Sequence, residues 1–447
     1  RSKNIFLKSE YPQKIKDNIF LMGFFFLPSI PPLGFLLLLI TLILSIFSKP
    51  YFNFEDKWNI PIFLSIGIII FNTIYVSLIN KPDELINLPI SIIWLNLFNW
   101  IPFLLGFKWF QEYLNTHEKR CIFAKFFVSG TIPVLFSCIM QYLFKWEGSK
   151  ELFNGLIVWF LKPVKVAGGI SGLFSNTNYT GLWLVTTFPL ILFLIQNNHQ
   201  KGQNNKKFLL TLIALLIVFF ILQTNSRNAL LGLILSLNII LGIKTILFLL
   251  LAIIIFSFFL NYFSLSITNF EPLKIIIPET LMSKLNNIKI DLYSPRILIW
   301  SIAISLILSK PFFGWGSGTF SFLYQNENSV NPPLLKISAT HSHNLFFELS
   351  HNFGLPLSLL LSSTFLLLLF NSFRNINKYR SINKNFLINK YWLASTSVMI
   401  FCHFSDITFY DGRISLLFCI LLSGTRCILK DCEEKKIREI NNYHKTN

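Results

Sequence analysis

Charged side chains are scarce in this chain. Asp, Glu, Lys and Arg make up 13% of its 447 residues, against roughly a quarter in a soluble domain. That deficit excludes an ordinary soluble globular protein. With 53% hydrophobic residues and a mean hydropathy of +0.56, the chain reads as an all-α integral membrane protein with many spans. Paired cysteines are also missing. The six (Cys121, Cys138, Cys402, Cys419, Cys427 and Cys432) form no CxxC pair, and most fall in or near apolar runs. Neither a disulfide framework nor a zinc site is expected. No cleavable signal peptide is visible, so the first apolar run reads as a retained span. No internal repeat appears, which counts against an inverted-repeat transporter. Alanine is sparse while Phe, Asn and Lys abound, a bias that fits an AT-rich genome and carries no function.

Acidic charge is the scarcer sign: 21 acids face 39 Lys and Arg, a net +18. A nucleic-acid binder would gather such charge as a patch on a folded domain. Here the basic residues fall in short loops between apolar runs, the positive-inside pattern, so no nucleic-acid partner is expected. About twelve runs are long and apolar enough to read as spans: 18–29, 33–47, 58–79, 90–107, 122–144, 179–195, 208–223, 228–242, 245–262, 344–373, 391–405 and 414–429. The first two are short and separated by Pro28, Pro31 and Pro32. They read as a tight hairpin or one broken helix, leaving eleven or twelve spans. Twelve puts every basic loop (1–16, 108–125, 201–207, 374–390 and the tail from 426) on one face, which is then cytoplasmic.

The expected organisation is a cytoplasmic segment 1–17, a polytopic membrane domain 18–430 and a cytoplasmic tail 431–447, in a bacterial inner (plasma) membrane. Two long loops face the other side, 145–178 and 263–343. The second has roughly eighty residues, too many for a plain connector. It contains an apolar piece, 296–308, stopped by Lys310 and Pro311. Crossing there would break the alternation of basic loops, so it is expected to be an interfacial helix on the outer face.

A charge at mid-depth costs roughly 2.5–3.5 kcal/mol on the gentlest scale. The runs accordingly hold almost none. The exceptions gather at the outer ends: Arg227, His343, Glu348, His351, His403, Asp406, Asp411 and Arg413. An ion-coupled transporter would place acids near the midplane, whereas an enzyme working on a lipid head group would place them at the rim. The sharpest feature is His341-Ser342-His343-Asn344, where the long outer loop meets an apolar run. Imidazole titrates near neutral pH and suits a general base. His343 is the candidate catalytic residue, with the adjacent Asn344 as its expected orienting partner and His341 as a second binding group. The competing reading is a pair of solvated loop histidines. No helical HxxxH fixes a metal, and no metal or cofactor is expected.

Arg227 lies in a very short outer turn. It is either an interfacial anchor or a planar fork for a phosphate. Arg296 follows Pro295 at a helix start, with Ser294 as the expected cap. A cation there opposes the helix dipole, which points to an anionic ligand, unless the residue is simply solvated. The GWGSG run at 314–318 lacks the strand and the Lys of a phosphate loop, so it reads as a tight turn with close backbone packing. The sequon at Asn178 sits at a membrane edge and is discounted.

Four runs carry a family resemblance: GLFSNTNY at 172–179, SRNALLG at 226–232, PRILIW at 295–300 with PFFGWG at 311–316, and HSHN at 341–344. Together, across about 18–429, the chain resembles the O-antigen ligase/polymerase family of bacterial inner-membrane proteins. It is similar in pattern to cyanobacterial members labelled as bicarbonate transporters. Ligases of that family share His, then Asn, Ser or Gln, nine residues, then Gly-x-x-Gly. Here His343 and Asn344 are followed by Gly354, but Leu357 replaces the last glycine. The resemblance implies a metal-independent glycosyltransferase at the periplasmic face. Its donor would be a glycan on a polyprenyl diphosphate, and its acceptor a hydroxyl of a glycan, lipid or other molecule. His343 would act as base, and Arg227 and Arg296 would bind the diphosphate. Two alternatives stay open: an inorganic-carbon transporter, and an inactive paralogue that scaffolds envelope glycan assembly.

Overall fold

The computed structural model describes residues 13–48, 56–155, 157–245, 295–330, 339–378 and 386–446. The expected span 245–262, most of the first half of the large outer loop, and the Ser294 cap lie outside them. The described chain is mainly helical. In order it runs α1 (Gln13–Phe26), α2 (Pro31–Ser48), α3 (Ile60–Ile74), α4 (Ile90–Leu95), α5 (Ile101–Trp109) and α6 (His117–Phe144). The strands β1 (Gly148–Leu152) and β2 (Ile157–Leu161) follow, then α7 (Val164–Ala167), α8 (Thr177–Gln200), α9 (Asn204–Gln223) and α10 (Arg227–Leu241). The last part holds α11 (Pro295–Ser309), α12 (Phe320–Val330), α13 (Leu345–Phe353), α14 (Leu355–Lys378), α15 (Phe386–His403) and α16 (Gly412–Thr446).

Among the described residues, seven helical stretches are long and apolar enough to cross a membrane: Ile60–Ile79, Ile90–Tyr113, His117–Phe144, Thr177–Gln200, Asn204–Gln223, Leu355–Lys378 and Gly412–Glu434. They coincide with seven of the twelve expected runs. Burial sorts them into centre and periphery. The span in α16 is 89% buried and α8 78%, whereas α9 is 22% buried. The centre is therefore α8, α15 and α16, with α6, α10 and α14 packed around it. α9 presents most of its side chains outward, as a lipid-facing helix would.

Three local findings refine the expectations. The runs at 18–29 and 33–47 are two separate helices packed side by side, the hairpin alternative. Gly34 permits it, because an added Cβ would press on the Leu27 backbone. The run 344–373 is not one helix. It breaks at Gly354, whose φ of +88° no L side chain adopts easily, and a Cβ there would collide with the Phe312 carbonyl. Finally, the outer loop 145–178 holds an antiparallel hairpin, with Gly148 opposite Leu161 and Leu152 opposite Ile157. Its short strands lacked a period strong enough to read in an otherwise helical chain.

Candidate active site at one end of the bundle

The loops that begin α8, α10 and α13 and the loop that ends α15 meet at one end of the bundle. Each helix start is capped by a side chain from one of the short motifs. Asn176 accepts from Asn178 N at 2.9 Å. Ser226 accepts from Ala229 N at 3.3 Å, and Asn344 from Phe346 N at 2.9 Å. Uncapped N–H groups at a bilayer edge are costly, so polar caps are required here whatever else the loops do.

His343 sits between the capped start of α13 and the 404–411 loop. Its φ is +54°, a left-handed conformation uncommon outside glycine and typical of functional sites. Its Nδ1 lies 2.8 Å from Asp406 Oδ1. In the neutral ring the paired carboxylate selects the tautomer with the proton on Nδ1, which leaves Nε2 with a free lone pair. The imidazole is 29% exposed while Asp406 is 4% exposed, so the ring faces outward on a buried anchor. This corrects one expectation: Asn344 does not orient the ring. Its Oδ1 caps α13, and its Nδ2 donates to Phe404 O at 2.7 Å, which ties the turn to the end of α15.

Asp406 divides its carboxylate among three partners. Besides His343, its Oδ2 accepts from Asn178 Nδ2 at 2.6 Å and lies 3.5 Å from Arg296 Nη2. Burial alone would raise its pKa. The hydrogen bond from His343 and the charges of Arg296 and His343 outweigh that and hold the carboxyl below its ordinary value. Arg296 is 36% exposed, so much of its fork remains open to a ligand. The structure thus brings Arg296 to the site.

Arg227 begins α10 and is exposed. It forms no hydrogen bond or ion pair with any described residue. The next residue fixes its place: Asn228 Nδ2 donates to Cys402 O at 3.0 Å, and Ser405 Oγ donates to Asn228 Oδ1 at 2.6 Å. Arg227 is therefore held beside the turn that carries Asp406. His341 packs edge-on against His343, with ring centroids 4.4 Å apart. Burial, then the neighbouring His343, pushes its pKa down to about 4, so it is neutral at physiological pH.

Beneath the turn lies Glu348, 1% exposed. One of its oxygens accepts from Ser342 N at 2.9 Å and Ser342 Oγ at 2.8 Å. The other accepts from Tyr410 OH. Burial and that carboxylate push the Tyr410 phenol well above 10, so it remains a donor. Arg413, by contrast, is consumed structurally. It pairs with Asp411, donates to Leu173 O at 2.9 Å and covers the Phe174 ring. The GWGSG turn is packed as expected, with Trp315 N donating to His351 O at 2.7 Å and no room for a Cβ at Gly314.

Sequence reasoning missed Asp406, Asn178, Glu348 and Tyr410 as site residues. For the two acids a signal existed, since each is a rare carboxylate in apolar surroundings. Asn178 and Tyr410 had none beyond the motif around the first. Among the described residues, no group of three or more His, Cys, Asp and Glu gathers as a metal site would. Residues 210–362, about a third of the chain, match the family model described as O-antigen ligase. That stretch contains Arg227, Arg296, His341, His343, Asn344 and Glu348. No curated protein matches the chain.

Proposed function

We propose that this chain, whose residues 210–362 match the O-antigen ligase family model, is a membrane glycosyltransferase of that kind. It moves a glycan from a polyprenyl diphosphate to an acceptor hydroxyl. The observation that carries the reading is the Asp406–His343 pair with Arg296 on the same carboxylate. A base anchored by a buried acid and flanked by a half-open guanidinium suits a hydroxyl nucleophile and a diphosphate leaving group.

The chemistry balances on these residues. His343 Nε2 takes the acceptor's O–H proton as the oxygen attacks the anomeric carbon. The bond from that carbon to the phosphate oxygen breaks, and polyprenyl diphosphate leaves. Asp406 keeps Nδ1 protonated and offsets the imidazolium charge. Arg296 and Arg227 bind the diphosphate and balance its growing negative charge. A diphosphate leaves readily, so positioning and charge supply most of the acceleration. The reaction needs no metal. His341, neutral and beside His343, faces the acceptor.

The twelve-span arrangement with cytoplasmic termini belongs to the same reading. α8 carries Asn178 in its first turn and Gln200 in its last, about 33 Å apart at 1.5 Å per residue. Its far end, with Lys201, joins His117 and Lys125 around one cleft. The basic residues and the site therefore occupy opposite ends of the bundle, which supports a site on the periplasmic side.

The test is surface-polysaccharide profiling of a deletion strain complemented with wild type or His343→Ala. Long-chain glycan should return with wild type only. An unchanged glycan profile with impaired inorganic-carbon uptake would overturn the reading in favour of transport.

A further inference from the structure

We propose that Glu348 is a positioning residue for the His343–Asp406 pair. It is a buried carboxylate that locks together the two chain segments on which that pair sits. The proposal rests on the reading of His343 as the base.

His343 and Asp406 belong to separate segments, the 341–344 turn and the 404–411 loop. Neither is a regular element, so neither holds its own shape. Two bridges join them. Asn344 Nδ2 reaches Phe404 O at 2.7 Å. On the other side of His343, Ser342 gives both its N–H and its hydroxyl to one Glu348 oxygen. Tyr410 gives its hydroxyl to the other. Glu348 thus touches the residue immediately before His343 and a residue four beyond Asp406. Tyr410 also stacks its ring on His341, centroids 5.9 Å apart, and stands edge-on to Trp100. The bridge is therefore anchored at both ends.

The backbone makes such a bridge necessary. A non-glycine residue in the left-handed region stays there only when its surroundings hold it, and His343 has a φ of +54°. The clamp on Ser342 fixes the peptide that leads into it. Released, the turn would relax and carry the imidazole away from Asp406. A displacement of about 1 Å in such a constellation costs on the order of 10²-fold in rate.

The chemistry of Glu348 points the same way. It lies on the buried face of α13, and no described cation pairs with it. A buried carboxylate without a cation is an unfavourable way to fill a core. Three hydrogen bonds tie it to the two loops of the site, and Asn352, one turn on along α13, adds a side-chain contact from its own helix.

The experiment is steady-state transfer by the purified full chain, using a polyprenyl-diphosphate-linked glycan as donor. Glu348→Ala, Glu348→Gln, Tyr410→Phe, Asp406→Asn and the Glu348→Gln/Asp406→Asn double variant are compared. Glu348→Ala should lower kcat about 10²-fold with donor KM within about twofold of wild type, because the arginines that bind the donor are untouched. Glu348→Gln should recover part of the loss, since its carbonyl still accepts from Ser342. The groups facing His343 are His341 and Asp406, with Arg296 behind the latter. Loosening the carboxylate should therefore move the acid limb of the pH profile to lower pH in Glu348→Gln and Tyr410→Phe, the direction of Asp406→Asn. The double variant should be hardly slower than Asp406→Asn, because both act through one contact.

Wild-type kcat and pH profile in Glu348→Gln and Tyr410→Phe overturn the proposal, and so do two losses that multiply in full. If Glu348→Ala fails to fold, those two milder variants decide. Undiminished transfer in His343→Ala and Asp406→Asn would instead sink the glycosyltransferase reading itself.

Discussion

Asp406 is the residue on which the site turns. Its carboxylate orients His343, receives Asn178 and holds Arg296. Asp406→Asn keeps the shape but removes the charge that selects the Nδ1-protonated ring. A general base typically contributes 10²–10⁴-fold, so transfer should fall within that range while the protein stays folded, as single-turnover assays would read. Wild-type rates would exclude Asp406 from the mechanism. Arg227 differs from Arg296 in having no described partner to hold it. Arg227→Lys should weaken donor binding at least tenfold in KM, because an ammonium cannot reproduce the bidentate fork; an unchanged KM would make it a plain interfacial anchor. His341 sets a pH dependence. It binds its proton at about 4 in the folded protein, against 6.5 for the free side chain. Between those values the unfolded chain takes up a proton that the folded one refuses. Stability is therefore lost as pH falls from 6.5 towards 4. Thermal unfolding in detergent across that window should show the loss, and His341→Gln should reduce it.

At the scale of elements, the break between α13 and α14 matters most. Nine residues separate Asn344 from Gly354, which lets the chain turn by adopting φ +88° against the Phe312 backbone. Gly354→Ala should cost at least about 1–3 kcal/mol from strain alone, seen as a lowered Tm. Leu357 stands where the related ligase pattern has glycine. It is fully buried, so the departure fills a core position and strains nothing. Leu357→Gly should therefore destabilise by about 2–5 kcal/mol, the range for emptying a core leucine site, and should not raise activity. A faster, equally stable Leu357→Gly variant would contradict this. The capping residues show why the short motifs were readable at all. Asn176, Ser226 and Asn344 satisfy helix starts that no water inside a bilayer could satisfy.

For the whole molecule, the arrangement implies two chemically distinct ends. Cysteines introduced at Ser149 in β1 and at Gln203 before α9 should label from opposite sides of intact cells with an impermeant reagent. Labelling of both from one side would overturn the twelve-span orientation. Of the native cysteines only the half-buried Cys121, which lines the cleft with Lys201, has to be replaced for the assay; the other five are buried.

Composition alone settled the class of this protein. Thirteen per cent charge cannot cover a soluble surface, and the cost of an intramembrane ion confined its polar chemistry to one rim. That is why His343, Arg227 and Arg296 were legible along the chain. Their partners were not. Asp406 lies 63 residues from His343 and 228 from Asn178. No local period links positions so far apart, and only the packing of α8, α15 and α16 brings them within hydrogen-bond reach. Likewise the adjacent Asn344 looked like the natural partner of His343, but a helix start needs its cap, and that need is met first. Propensity and desolvation act residue by residue and can be read from sequence. Which carboxylate meets which imidazole depends on how the helices cross, and only the tertiary structure decides it.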